Sequence, residues 1–550
     1  MARNERYLFL FNLFLLAQGA SLNKPKDYED EFEVIDPVPE SLIIKQDANH
    51  WIQEGTTHLT HILDILQQEQ KQTAKNVIIF IGDGMGATSA TAGRIYKGQR
   101  NGLMGEENFL SFDRFPNIAL AKTYNVDKQV PDSAGTATSI FTGVKSRFKM
   151  IGLDARSTFG KFDEAVFEKS KIASIMTWGQ EANKDTGIVT TTRVTHATPA
   201  GTYAHVPNRD WECDSLVPEM YRHRLKDVAR QLIEDPPGNK FKVILGGGQE
   251  NMGYVELNSS RRDGLNLTKL WSQKHQKDRA HFVANKADLE NLPEDTEYLL
   301  GLFAATHLPY ELIRQKHFPN VPSLSDMTTA ALKVLKKSAE GYVLMVEGGL
   351  IDKAHHDNYA RLALEEVSEF DNAVEVALNQ ADSDTLIIVT SDHSHSFIFN
   401  GYPRRGNDIL GLGNDTFPYL TLSYGNGPGF DYHYVNETTS DGYPWRNLPD
   451  DRTRGKNPYY QHLASFYLYE DTHGGEDVPI YAKGPASHLF KGVMEQSNIA
   501  HIISYAMCIG PHRHMNAYCQ SKENPMNHSS SLNLHFNLLT ITILIFVVMP

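Results

Sequence analysis

From Lys75 onward, short and nearly unbroken apolar runs alternate with stretches of helical period. The runs are Val77–Ile81, Ile172–Thr177, Ile188–Thr191, Val243–Leu245, Tyr342–Val346, Leu386–Thr390 and Val478–Ala482. A strand that is apolar on both sides must be covered on both sides. The pattern therefore predicts an α/β fold, a central and mostly parallel sheet with helices on each face. Upstream, Asp47–Gln72 sets Trp51, Leu59, Ile62, Leu63 and Leu66 at helical spacing, which predicts an amphipathic helix outside the main fold. Between about Gly401 and His462 the periodicity fades and Gly, Pro, Asn, Asp and Tyr dominate. That stretch reads as an inserted surface subdomain.

The two ends carry processing signals. Residues 1–20 combine Arg3 and Arg6, an apolar core and small residues before Gly19 and Ala20, the pattern of a secretory signal cut after one of those two. Residues 531–550 end in an apolar tail with no basic flank, preceded by a polar spacer and small residues over 511–530. This is the pattern of a glycosylphosphatidylinositol (GPI) attachment signal, with Asn527, Ser529 and Ser530 as candidate sites. The expected organisation is thus 1–20 signal, 21–74 N-terminal segment, 75–510 catalytic domain containing the 401–462 insertion, 511–530 spacer, and 531–550 removed tail.

Composition narrows the class. Of 550 residues, 41% are hydrophobic and 22% charged, which excludes a disordered, collagen-like or polytopic membrane chain. A net charge of −14 argues against a broad polyanion-binding surface, so no nucleic-acid partner is expected. Sequons at Asn258, Asn266, Asn414 and Asn436 lie in polar, turn-rich stretches. With only 3 cysteines, the fold is not a disulfide scaffold. Cys508 and Cys519 are able to close a short loop in an oxidising compartment, leaving Cys213 as a buried or free thiol.

The 23 histidines invite a search for metal ligands. Three apolar runs end in metal-type residues: Gly82-Asp83-Gly84-Met85-Gly86, Glu347-Gly348-Gly349-Leu350-Ile351-Asp352-Lys353-Ala354-His355-His356, and Ser391-Asp392-His393-Ser394-His395. In open α/β sheets, ligands bind beyond the carboxyl ends of the strands. One such Asp is commonly a helix cap; three in concert, two with His, point to one metal crevice. A helix starting near Gly349 sets Asp352 and His356 on one face and turns His355 about 100° away. Mixed Asp/His ligation without Cys suits catalytic zinc, and a carboxylate site beside it suits magnesium. Ser133, in Val130-Pro131-Asp132-Ser133-Ala134-Gly135-Thr136-Ala137-Thr138, is expected at a helix N-terminus, where N–H groups and the dipole favour phosphate. No Ser-His-Asp triad is evident, so activating its hydroxyl calls for a metal.

Together with Thr472-His473-Gly474-Gly475-Glu476-Asp477-Val478, these motifs resemble the alkaline phosphatase family in its order, over roughly Lys75 to Cys508. The signal and tail are similar to those of its animal membrane-bound type. The resemblance implies a phosphate-monoester hydrolase with a phosphoserine intermediate on Ser133, two zinc ions and one magnesium per chain. It implies Asp352, His356 and His473 as ligands of one zinc and Asp83, Asp392 and His393 of the other. Asp83, Thr198 and Glu347 would take magnesium, with His196 and His395 as supporting groups. Arg209, in Tyr203-Ala204-His205-Val206-Pro207-Asn208-Arg209, would bind phosphate, as a planar guanidinium suits. Ala304 and Val321 stand where relatives carry carboxylates for calcium, so calcium is not expected. Phe141, Thr142 and Lys226 occupy the region of a vertebrate-type disulfide, which leaves Cys508–Cys519 as the bridge. A homodimer reached by the Asp47–Gln72 helix, on the outer face of the plasma membrane, is also implied. A sulfatase would want a modifiable Cys in place of Ser133. A phosphodiesterase would usually lack the third metal site. A surface receptor that had lost catalysis would have lost ligands.

Overall fold

The computed structural model describes residues 73–254, 259–413, 419–434, 457–516 and 519. The signal, the Asp47–Gln72 helix, Asn258, Asn414, Asn436 and the attachment and tail residues lie outside these. Ten strands build one sheet: β1 (Asn76–Gly82), β2 (Asn117–Lys122), β3 (Asp185–Arg193), β4 (Val243–Gly247), β5 (Ala280–Val283), β6 (Tyr298–Leu302), β7 (Tyr342–Gly348), β8 (Thr385–Thr390), β9 (Val478–Lys483) and β10 (Gly492–Glu495). Their order is β10-β2-β9-β8-β1-β7-β3-β4-β6-β5. Only β9 runs against its neighbours, β2 and β8.

The central strand shows why the apolar runs are continuous. Every residue of β1 is buried. Side chains alternate along a strand. Val77, Ile79 and Ile81 face one core, with Ile140, Ile175, Leu232 and Ile503 from helices Ser133–Thr142, Ile175–Glu181, Val228–Glu234 and Asn498–Met507. Ile78 and Phe80 face the other, with Leu332 and Phe370 from helices Leu324–Leu335 and Ala360–Gln380. Phe80 meets Phe370 edge to face, ring centres 5.9 Å apart.

One expected strand is absent. Ile172–Thr177 instead leads into the helix Ile175–Glu181, because Ser174 caps it by accepting from the Thr177 amide. A short apolar run does not distinguish a buried helical turn from a strand, and the cap decides it. Strands β2, β5, β6 and β10 escaped the sequence pattern. All four lie toward the sheet's margins; β2 exposes alternate residues, and β5 has only 4, just one of them fully buried. Among the described residues of 401–462, Leu422–Tyr424 pairs with Phe397–Phe399, just before the insertion, and Leu412–Gly413 with Tyr419–Leu420. A small core of Ala92, Ile95, Phe397, Ile409, Leu422 and Tyr424 fixes them to helix Ala87–Arg100. Cys508 and Cys519 form a disulfide, and Cys213 is a buried thiol.

Candidate active site

Register brings the chemistry together. Ile81 of β1 is level with Glu347 of β7 on one side and Thr390 of β8 on the other. Asp83, Glu347 and Asp392 therefore emerge side by side at the carboxyl edge of three adjacent strands. The chain leaves β1 through Gly84 at φ +71°, and its amide donates to Asp392 Oδ1 at 3.1 Å. A Cβ at Gly84 would lie 2.7 Å from the His395 ring, so this turn requires glycine.

The first group is Asp352, His356, His395 and His473. Helix Leu350–His356 puts Asp352 and His356 one turn apart, His356 Nε2 lying 3.4 Å from Asp352 Oδ1. His355 points elsewhere, to Ser89 Oγ and Tyr424 Oη, each at 2.9 Å. His473 arrives on a two-residue pairing of His473–Gly474 with Ser394–His395. His356 Nδ1 faces the Asp471 carbonyl at 2.7 Å, and His473 Nδ1 faces the Pro131 carbonyl at 2.8 Å. A carbonyl only accepts, so both Nδ1 atoms donate and both Nε2 atoms present lone pairs. These two Nε2 atoms lie 3.2 Å apart, beside a carboxylate. Facing lone pairs repel unless a cation sits between them. His395 differs: both its nitrogens face carboxylates, Asp352 Oδ1 and Asp471 Oδ2, each at 2.8 Å. Burial opposes its charge, but those two hydrogen bonds prevail and push its pKa up to about 9. With both nitrogens donating, it supports Asp352 and has no lone pair to ligate.

The second group is Asp83, Asp392 and His393. His393 Nε2 lies 3.2 Å from Asp392 Oδ2 and 3.6 Å from Asp83 Oδ1. Burial and the neighbouring His473 keep its imidazole neutral, the ligating form. The His393 and His473 rings stack with centres 3.6 Å apart, so the first two groups adjoin. The third group is Asp83, His196 and Glu347. Thr198 Oγ1 is 3.5 Å from Asp83 Oδ2. His196, expected only as a supporting group, thus has a ring nitrogen within ligand range.

Electrostatics agree with bound cations. Asp83 Oδ1 and Glu347 Oε1 are buried without a hydrogen-bond partner among the described residues. Burial, then Asp392, Asp352 and Glu347, pushes the Asp83 carboxyl well above the usual range. Burial raises Glu347 to about 7 despite the hydroxyls of Thr190 and Thr198. Crowded, orphaned buried carboxylate oxygens are costly alone and are relieved by divalent cations. The residues fit such ions.

Ser133 opens helix Ser133–Thr142, and its Oγ lies 3.1 Å from His393 Nε2. Asp132 is the cap. Its carboxylate accepts from the amides of Ala134 at 3.2 Å and Gly135 at 3.3 Å, and its carbonyl accepts from the Thr136 amide at 3.1 Å. The expected N–H cradle for phosphate is therefore largely used by the cap. The cationic partner at hand is Arg209, which donates to Asp132 Oδ2 at 3.1 Å and meets His196 Nε2 at 3.0 Å.

Sequence reasoning missed Asp471, which touches His356, His395 and Ser396, and Gln496, which donates to the Asp392 carbonyl at 2.7 Å. Asp471 carried a signal, two residues before His473. Gln496 carried none, because its partner is 104 residues away.

The Alkaline phosphatase family model matches residues 74–509. Alkaline phosphatase 4 of Drosophila melanogaster is 44% identical over 513 residues, covering 87% of this chain and 85% of its own. The tissue-nonspecific alkaline phosphatase isozyme of Homo sapiens is 41% identical over 498 residues, covering 86% and 90%. Thermus thermophilus alkaline phosphatase, a solved structure, is similar in fold, with a TM-score of 0.57 at 22% identity and coverage of 80% and 93%.

Proposed function

This chain belongs to the alkaline phosphatase family and is a phosphate-monoester hydrolase, and from that premise we propose that Ser133 is its nucleophile and phosphoserine its intermediate. The observation that carries this is the meeting of three adjoining ligand groups, two of them holding unpartnered buried carboxylate oxygens, with the Ser133 hydroxyl 3.1 Å from His393 of the second. Asp352, His356 and His473 would hold one zinc, and Asp83, Asp392 and His393 the other. Asp83, Glu347 and Thr198, with His196 in reach, would hold magnesium. When bound, these cations supply Lewis acidity that favours an ionised serine and stabilises charge on attacking and leaving oxygens.

The chain's own residues do the rest. Arg209, braced by Asp132 and His196, presents its remaining N–H groups to the phosphate oxygens. Ser133 gives up its proton and Oγ attacks phosphorus; the ester P–O bond breaks and the alcohol departs with a proton. Water then attacks phosphorus, the P–Oγ bond breaks, and inorganic phosphate leaves with Ser133 restored. Asp352 and His393 keep their positions through His395 and the Ser394 carbonyl.

The finer context belongs to the same proposal. Residues 1–20 direct secretion and 531–550 are exchanged for a GPI anchor at Asn527, Ser529 or Ser530, placing the enzyme on the outer face of the plasma membrane. No helix among the described residues is long and apolar enough to cross a membrane. The chain forms a homodimer through the Asp47–Gln72 helix, with 401–462 as a surface subdomain. Glycans are carried at Asn258, Asn266, Asn414 and Asn436; at Asn266 only Oδ1 serves as the cap of helix Leu267–Lys274, so Nδ2 is the atom a glycan would use.

The direct test is Ser133→Ala. It removes nearly all turnover of a phosphate monoester at alkaline pH while fold and metal content stay parental. Labelled phosphate trapped on a residue other than Ser133 overturns the assignment.

A further inference from the structure

Asp471 is fully buried, two residues before His473. Its amide donates to the His356 carbonyl at 2.8 Å, and its own carbonyl accepts from His356 Nδ1 at 2.7 Å. Its carboxylate is held by the Ser396 hydroxyl on Oδ1 and accepts from His395 Nδ1 on Oδ2 at 2.8 Å. His395 passes this orientation on, donating from Nε2 to Asp352 Oδ1 at 2.8 Å. Asp471 thus reaches one proposed ligand of the first group directly and a second through one imidazole, while standing beside the third in sequence.

We propose that Asp471 is a positioning residue for the first cation: its carbonyl fixes the ring orientation and tautomer of His356, and its carboxylate, acting through His395, fixes the carboxylate of Asp352. A ligand ring that donates Nδ1–H to a fixed carbonyl can offer only Nε2 to the ion. A ligand carboxylate that receives a fixed N–H on Oδ1 has its rotamer and free lone pairs set. Such outer partners are typically worth about 10–100-fold in metal affinity. The inference rests on the reading that Asp352, His356 and His473 hold a cation.

The test is made on the full chain loaded with cobalt(II), whose visible absorption reports ligand geometry, and by zinc competition against a chromogenic chelator. Asp471→Ala keeps the main-chain bonds but removes the brace on His395. It is expected to weaken zinc binding at one site about 10–100-fold and to shift the cobalt bands. Asp471→Asn is expected to stay close to parental, because its Oδ1 accepts from His395 while Nδ2 donates to Ser396. Asp471→Ser removes the carboxylate but leaves a hydroxyl for Ser396, and gives the same reading as alanine if the alanine variant does not fold. Parental zinc affinity and cobalt bands in the alanine or serine variant overturn the proposal. Equal perturbation by asparagine also overturns it, since the hydrogen bonds would then not be what matters. His356→Ala separates the two levels: if it too leaves affinity and bands parental, the ligand reading fails rather than the role of Asp471.

Discussion

Arg209 Nη1 donates to Asp132 Oδ2 across 3.1 Å, which ties the guanidinium to the residue that caps the Ser133 helix. A carboxylate that fixes both the nucleophile's helix and the proposed anion-binding cation makes their separation a property of the fold. Arg209→Ala should therefore lower kcat/KM by about 10²–10³, the cost of losing an oriented donor in such a site. Arg209→Lys should recover only part of this, because an ammonium does not reproduce the planar fork. The check is steady-state kinetics with inhibition by inorganic phosphate, which should weaken in both variants. Unchanged phosphate inhibition in Arg209→Ala would remove Arg209 from the site.

Chelation should abolish activity and lower the unfolding temperature, with zinc plus magnesium restoring both. Apart from lost catalysis, Asp83, Glu347 and Asp392 would be left to repel one another in a buried space. An ion at about a hundred times its Kd stabilises the native state by about 2.7 kcal/mol per site. His473→Ala should reduce bound zinc from two ions to one, measured by elemental analysis of the dialysed protein. Two zinc ions retained would exclude His473 as a ligand.

Gly84→Ala should cost about 1–3 kcal/mol of stability and most of the activity. The residue has φ +71°, and its Cβ would sit 2.7 Å from His395 Cδ2 and 3.1 Å from the Asp352 Cα. Neither neighbour is a flexible side-chain end, so the site itself must shift. Gly102→Ala is the control: φ is +79° but nothing lies within 4 Å of the new Cβ. It should pay the backbone strain, about 1–2 kcal/mol, and keep full activity. Equal activity loss in both variants would show that strain alone, not the contact with His395, is responsible.

What could be read in the sequence divides along physical lines. Strands β1, β7 and β8 are buried on both faces, so their apolar runs announce them, and the polar residues that follow mark the crevice. Asp352 and His356 were legible because helical period is local. Ile172–Thr177 turns into helix from Ile175 onward, since one hydroxyl at Ser174 outweighed the run's apolar character. The Asp132 cap was hidden for a related reason: which amides a carboxylate takes is decided by rotamer, and the amides of Ala134 and Gly135 went to Asp132 rather than to an anion. The amphipathic reading of Asp47–Gln72 falls outside the described residues. Gln496 was illegible because a bond spanning 104 positions leaves no local pattern.

Glu366 supplies a test of burial away from the catalytic groups. It lies on helix Ala360–Gln380 among Glu311, Glu365 and Glu369, its Oε1 accepting from the Glu311 amide at 2.5 Å. Arg314 is engaged by Glu311 and Arg100 by Glu365. Burial, and then the like charges of Glu311, Glu369 and Glu365, holds the Glu366 carboxyl well above its ordinary 4.5. A folded pKa above the unfolded one means that the native state holds the proton more tightly. Its contribution to stability is therefore full below the ordinary carboxylate range and is lost as pH rises through the raised pKa. Glu366→Gln keeps the carbonyl that receives the Glu311 amide and removes the titrating proton. It should stabilise the protein by about 1–3 kcal/mol at neutral pH, the scale of an uncompensated buried polar group. That advantage should shrink steadily as pH falls toward the ordinary carboxylate range, while turnover stays parental. Denaturant unfolding of both proteins across that pH range, at fixed zinc and magnesium, is the measurement. A stability difference that does not change with pH would mean that Glu366 is not the group whose proton is retained on folding.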